Sequence, residues 1–187
     1  MATKVKLLVI GPKKSGKSCI SDILSSHTDS PSQNYWPTVG CRIHQFQKEL
    51  SAKTKSSNKI LVELWDVSGD LKYEKYWPAI QRNTQGIIFV YDSTNPGVES
   101  EINTWVAAFP KSMQIHPSIC LAFANKIKKE GSVIQVPKAL QSVQIVDCSA
   151  ENIQQLNIGF DKYIQVLMKY LDESQEKETN NLINNQK

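Results

Sequence analysis

Nothing in this sequence points to a membrane, an oxidising compartment or a metal cage. Crossing a bilayer as a helix takes about 20 apolar residues, and no run here is that long. The N-terminal apolar run Val5 to Ile10 is short and leads straight into a glycine loop, unlike a secretory signal. Cysteine is scarce, with only Cys19, Cys41, Cys120 and Cys148 in 187 residues. None of them has the C-x-x-C spacing of a zinc or dithiol motif, so reduced thiols in the cytoplasm are the expectation. His27, His44 and His116 are isolated, and no special role is assigned to them. Charge of one sign is also lacking. The net charge is +4, and the densest basic stretch, Lys53 to Lys59, is broken by Ser and Thr. That pattern reads as a solvated surface, with no nucleic-acid partner. The final residues Leu182-Ile183-Asn184-Asn185-Gln186-Lys187 offer no cysteine to prenylate, and Ala2 stands where myristoylation needs glycine. No lipid anchor is therefore expected.

What is present is a phosphate grip. Gly11-Pro12-Lys13-Lys14-Ser15-Gly16-Lys17-Ser18 has the G-x-x-x-x-G-K-S spacing of a P-loop between a predicted strand, Val5 to Ile10, and a predicted helix, Lys17 to Ser26. Glycine is needed where backbone must wrap a phosphate closely. The following helix start presents free N–H groups and its positive dipole end. Gly11, Lys13, Lys14, Ser15, Gly16, Lys17, Ser18 and Cys19 are the candidate phosphate-site residues. Lys17 is placed for the β- and γ-phosphates and Ser18 for Mg²⁺.

The rest of the chain alternates strands and helices. Strands are predicted at Cys41 to Leu50, Lys59 to Trp65, Gly86 to Tyr91, Ile119 to Ala124 and Val143 to Val146. Helices are predicted at Leu71 to Asn83, Val98 to Phe109 and Ile153 to Leu171. A long loop covers 27–40, and a hairpin connection covers Ser51 to Asn58. Residues 125–141 leave room for only a short helix. This order predicts an α/β fold with a mostly parallel sheet and helices on both faces. Residues 1–171 are expected to form one domain, and the charged, Asn-rich stretch 172–187 is expected to be disordered. Ligands of such sheets sit at the carboxyl ends of strands, so the loops starting at 11, 66, 125 and 147 should converge.

Each of those loops carries a short motif. In Trp65-Asp66-Val67-Ser68-Gly69, Asp66 can hold Mg²⁺ through water and the Gly69 N–H can sense a γ-phosphate. In Pro37-Thr38-Val39-Gly40, Thr38 can complete the metal shell. Asn125-Lys126-Ile127-Lys128 and Asp147-Cys148-Ser149-Ala150 fall where a base-binding edge belongs.

The ordered set G-P-x-x-S-G-K-S, P-T-x-G, W-D-x-x-G, N-K and C-S-A resembles the Ras-superfamily small GTPases, and Rab proteins in particular. The resemblance covers about residues 4 to 171. It implies a P-loop NTPase G domain: a six-stranded, mostly parallel sheet with one antiparallel edge strand. It also implies GTP or GDP as bound nucleotide with Mg²⁺, and nucleotide contacts from Gly69, Asn125, Lys126, Lys128, Ser149 and Ala150. Tyr35-x-Pro37-Thr38-x-Gly40-x-Arg42-Ile43 and Glu63-Leu64-Trp65-Asp66-x-x-Gly69-Asp70-x-Lys72-Tyr73-Glu74-x-x-Trp77-Pro78-Ala79 are similar to the Rab-like subunits of the intraflagellar transport B complex. That likeness implies coiled-coil partner subunits, met through residues 35–43 and 66–82. It implies a chain that is monomeric alone, in the cytoplasm and in the cilium or flagellum including its base.

Four positions depart from the family pattern. Asp70 replaces the glutamine that orients the attacking water. Repulsion from the γ-phosphate should turn this carboxylate away, so a catalytic role as a base is disfavoured. Lys13 stands at a position that is glycine in Ras and crowds the same place. Both changes predict slow hydrolysis. Lys128 replaces the aspartate that reads guanine; a lysine only donates, and so do the guanine groups it would meet. Glu130 could substitute, and Pro31 stands where the family usually has a base-stacking aromatic. Guanine-selective and relaxed GTP/ATP binding therefore both stay open, as does an active GTPase switch in vesicle trafficking. Trp65 and Trp105 read as core residues. Trp77, beside Tyr73, Tyr76 and Pro78, is assigned to a partner surface.

Overall fold

The computed structural model describes residues 3–26, 36–50, 59–125, 135–148 and 152–184. The hairpin connection 51–58, the first part of the long loop with Pro31 and Tyr35, and the positions Lys126, Lys128, Glu130, Ser149 and Ala150 lie outside the described residues.

Strand β1 (Thr3–Ile10) runs into the P-loop, and helix α1 (Lys17–Leu24) follows. Strands β2 (Cys41–Glu49) and β3 (Lys59–Val67) pair antiparallel, with Arg42 opposite Asp66 and His44 opposite Leu64. After β3 come a 3₁₀ segment (Leu71–Tyr76), helix α2 (Trp77–Gln81), strand β4 (Gly86–Asp92) and helix α3 (Val98–Val106). Strands β5 (Cys120–Asn125) and β6 (Gln144–Cys148) and helix α4 (Ile153–Asn184) complete the described chain. The sheet has six strands in the order β2-β3-β1-β4-β5-β6, parallel except for the β2 edge. This is the architecture expected from the sequence.

Side-chain alternation along the strands builds two cores. Val5, Leu7 and Val9 of β1 face one side, where Ile20 and Ile23 of α1 and Leu156, Phe160, Tyr163 and Leu167 of α4 cover them. Leu8 and Ile10 face the other, covered by Trp77 and Ile80 of α2 and by Ile102 and Trp105 of α3. Both faces of the central strands are thus buried, which explains why β1, β4 and β5 read as continuous apolar runs.

Several elements differ from the sequence reading. The predicted helix Leu71 to Asn83 begins as 3₁₀ and becomes α-helix only at Trp77. Pro78 supplies the reason: it donates no N–H and suits only the first helical turn. Helix α3 widens into a π-turn over Ala107–Lys111, which contains Pro110. The missing amide of that proline breaks the regular ladder. Strand β3 carries Asp66 and Val67 within it, where a loop was expected. Residues 172–184 continue α4 where disorder was expected. The stretch has neither proline nor glycine and is rich in good helix formers. It also starts on an i,i+4 pair, Lys169 to Glu173 at 3.7 Å.

Candidate functional site

The P-loop is shaped by its glycines. Gly11 has φ +143°, and a Cβ there would lie 2.1 Å from the Val90 carbonyl oxygen on the neighbouring β4. Gly16 has φ +95°, and its Cβ would lie 2.4 Å from Asn125 Nδ2. Larger residues would push the loop off the sheet at both points. Lys14 is also left-handed, at φ 61°. The loop delivers α1 with no side chain capping its start and no acid in its first turn. Its leading N–H groups are therefore available to an anion.

The loops starting at 11, 66 and 125 converge as expected, and the loop that follows Cys148 lies outside the described residues. Asn125, at the end of β5, is buried and donates from Nδ2 to the Ser15 carbonyl at 3.0 Å. Its Oδ1 is buried with no partner. Gly69 lies against the P-loop itself, where a Cβ would meet Lys13 N at 2.6 Å, Pro12 C at 2.7 Å and Lys17 Nζ at 2.8 Å. Lys17 is buried, and its ammonium donates to the Pro12 carbonyl at 2.6 Å. Burial pulls its pKa down to about 8, against a smaller upward pull from Asp66. A cation this poorly solvated gains most from an anion brought beside it.

Three oxygens meet at the start of α1. The Ser18 hydroxyl lies 2.6 Å from Asp66 Oδ2 and 2.7 Å from the Thr38 hydroxyl, which is 3.1 Å from the same carboxylate oxygen. Burial raises the Asp66 pKa, while hydrogen bonds from Ser18 and Thr38 and the charges of Lys17 and Arg42 hold it back. Its second oxygen, Oδ1, is buried and unpartnered. Two hydroxyls and one carboxylate, whose Oδ1 is unpartnered, make a hard, all-oxygen donor set. It suits Mg²⁺ carried with phosphates better than a dedicated protein cage. Among the described residues no group of three His, Cys, Asp or Glu side chains is placed to hold a metal.

Asp70 is turned away from this cluster. Its carboxylate accepts from the Lys72 amide at 3.2 Å, capping the 3₁₀ segment, and pairs with Lys13 at 3.1 Å and Lys72 at 3.3 Å. The Lys72 amide and then Lys13 hold its pKa below the usual carboxylate range. The two departures noted in the sequence are thus one contact. Cys19 lies in α1 and is half-buried.

Trp77 corrects the sequence reading. It is only 8% exposed, with ring centroids 5.2 Å from Trp105 and 5.0 Å from Phe109. It belongs to the core under α2, because packing against those two rings removes a large apolar surface from water, and it is not a partner surface. Trp36, by contrast, is 80% exposed. The far end of the same segment is pinned: buried Lys6 donates to the carbonyls of Ile80 at 2.6 Å and Arg82 at 2.7 Å. Its ammonium also lies 3.7 Å from the Trp65 ring centroid, and Trp65 packs half-buried against the second core. Sequence reading missed Lys6, and it missed Asp22 of α1, which pairs at 3.0 Å with Arg42, itself 3.8 Å from Asp66. The β2–β3 register, which places Arg42 opposite Asp66, is the signal that finds the last of these contacts.

Comparison with known proteins accords with this geometry. The family profile described as Roc (Ras of Complex, Roc, domain of DAPkinase) matches residues 6–128. The chain is 33% identical over 184 residues to the intraflagellar transport protein 22 homolog of Danio rerio, covering 96% of this chain and 98% of that protein. This chain belongs to the Ras-like GTPase family. The Xenopus tropicalis homolog is 30% identical over 96% of this chain and 98% of its own length. A crystal structure of Trypanosoma brucei IFT22/74/81 with GTP bound superposes with a TM-score of 0.70 at 29% identity, covering 91% of this chain and 98% of that one.

Proposed function

We propose that this chain is a Rab-like GTP-binding subunit of the intraflagellar transport B complex, holding GTP or GDP with Mg²⁺ and hydrolysing GTP slowly. The observation that carries the reading is an intact phosphate grip beside a diverted catalytic position. Gly11, Gly16, Lys17 and Ser18 stand where a phosphate grip needs them, whereas Asp70 is engaged by Lys13 and Lys72 at 3.1 and 3.3 Å. Phosphoryl transfer depends on positioning and charge stabilisation. A carboxylate tied to two lysines does neither for an attacking water. Ser18, Thr38 and Asp66 would hold the metal, which screens the phosphate charge when bound.

Docking through residues 35–43 and 66–82 is supported by what those segments expose. Among the described residues, Trp36, Val39 and Ile43 of the first and Leu71 and Tyr76 of the second are exposed large hydrophobics. Side chains of that kind suit the apolar stripe of a coiled-coil partner. The Trypanosoma brucei relative is seen with GTP and with 74 and 81, and the counterparts of those subunits are the partners to test. The chain would be monomeric alone, and would work in the cytoplasm and in the cilium or flagellum, including its base.

The first test is the nucleotide that copurifies, followed by single-turnover hydrolysis with Mg²⁺. Guanine nucleotide and slow turnover support the reading. A rate equal to that of ordinary Ras-like enzymes would instead make it an active switch. Competition between GTP and ATP decides whether Lys128 relaxes base selectivity.

A further inference from the structure

Arg42 sits beside the metal cradle without belonging to it. On β2 it lies directly opposite Asp66 of β3. Its Nη2 is 3.8 Å from Asp66 Oδ2, the oxygen that also receives the Ser18 and Thr38 hydroxyls. The same nitrogen is 3.0 Å from both oxygens of Asp22 on α1. One guanidinium is therefore shared between a carboxylate of the cradle and a carboxylate outside it. Cross-strand register fixes the first contact and α1 fixes the second, so the cation is held in place although its side chain is half exposed.

A fixed positive charge at that distance from Asp66 has two effects. It opposes entry of a divalent cation at the same carboxylate, and it neutralises that carboxylate when the cation leaves. We propose that Arg42, held by Asp22, lowers the dependence of nucleotide retention on Mg²⁺. Asp22 sets how much of the arginine charge reaches the cradle. This rests on the nucleotide-and-Mg²⁺ reading above.

The two halves of the pair should act with opposite sign. Arg42→Gln removes the stand-in charge: Mg²⁺ binds tighter, and its removal releases nucleotide faster. Asp22→Asn frees the arginine toward Asp66: Mg²⁺ binds more weakly, and its removal matters less. Arg42→Lys keeps the charge. The measurement is the dissociation rate of a fluorescent GDP analogue from the full chain, in Mg²⁺ and in excess chelator, expressed as the ratio of chelator to Mg²⁺ rates. That ratio should rise about two- to fivefold in Arg42→Gln, as expected for a partly exposed ion pair. It should fall in Asp22→Asn and stay near wild type in Arg42→Lys. An unchanged ratio in Arg42→Gln overturns the inference, and so does movement of both variants in the same direction, which is what a merely structural role would give. A wild-type ratio of one would overturn the Mg²⁺ reading itself, a distinguishable result.

Discussion

Gly69→Ala probes the junction between the P-loop and the segment after β3. Ordinary contact at a Cβ begins near 3.4 Å, and here the nearest backbone atom, Lys13 N, is at 2.6 Å. The segment must withdraw by roughly 0.8 Å, the difference between those two distances. Two of the three atoms in the way are P-loop backbone, so no side chain can yield in its place. A hydrogen bond lengthened that far is effectively lost. One from the Gly69 N–H to a γ-phosphate would be charge-assisted and worth about 1.5–3 kcal/mol. GTP affinity should then fall about 10- to 100-fold, while GDP, which has no third phosphate, binds unchanged. Gly69 does not occupy the left-handed region, so alanine adds no backbone strain. Stability should shift by no more than about 1 kcal/mol. Competition of GTP and of GDP against a fluorescent GDP analogue, with urea unfolding on the same preparation, measures both quantities. Equal losses for the two nucleotides, or no loss for GTP, would refute the reasoning.

Trp77→Ala should cost about 3–5 kcal/mol in urea unfolding, since it empties the space between Trp105 and Phe109; a loss below about 1 kcal/mol would return Trp77 to the surface. Lys17 titrates near pH 8 in the fold against 10.5 otherwise, so its charged form opposes folding of the nucleotide-free protein below pH 8. That penalty lifts as pH rises from about 8 to 10.5 and amounts to about 3 kcal/mol. Lys17→Met should remove this pH-dependent gain, and denaturation curves across that window that match wild type would contradict it. Asp70→Gln should raise the single-turnover rate of GTP hydrolysis, and adding Lys13→Gly should raise it further and non-additively, because the two side chains pair. A double variant as slow as wild type would show that the defect lies elsewhere.

The sheet was legible because burial on both faces leaves continuous apolar strands separated by glycine and polar punctuation. The P-loop was legible because phosphate geometry tolerates so few residues at Gly11 and Gly16. Trp77 was misread because aromatic neighbours at 73 and 76 resemble an exposed anchor. The residues that receive its ring, Trp105 and Phe109, lie about thirty positions further along the chain, out of reach of a local reading. The reach of α4 past Leu171 was hidden by composition: a charged, amide-rich stretch reads as disorder until one notes that it contains no helix breaker. The Lys13–Asp70 ion pair joins residues far apart in sequence, so the sequence placed both at one spot without showing that they bind each other. Their pairing depends on how closely Gly69 approaches the P-loop.

The Lys6 ammonium has a mechanical consequence. By binding the carbonyls of Ile80 and Arg82, and lying over Trp65, it rivets the end of the segment to the sheet. Gln81 adds a second fastening, donating to the Ala108 carbonyl at 2.7 Å. Rearrangement driven from the phosphates must therefore be taken up before α2, between Ser68 and Tyr76. Leu71 and Tyr76 lie on the part that can travel; Pro78 and Ala79, the exposed residues of α2, lie on the part that stays. A protein gripping the first pair would feel whether a third phosphate is there. One gripping the second would hold the same surface in either case.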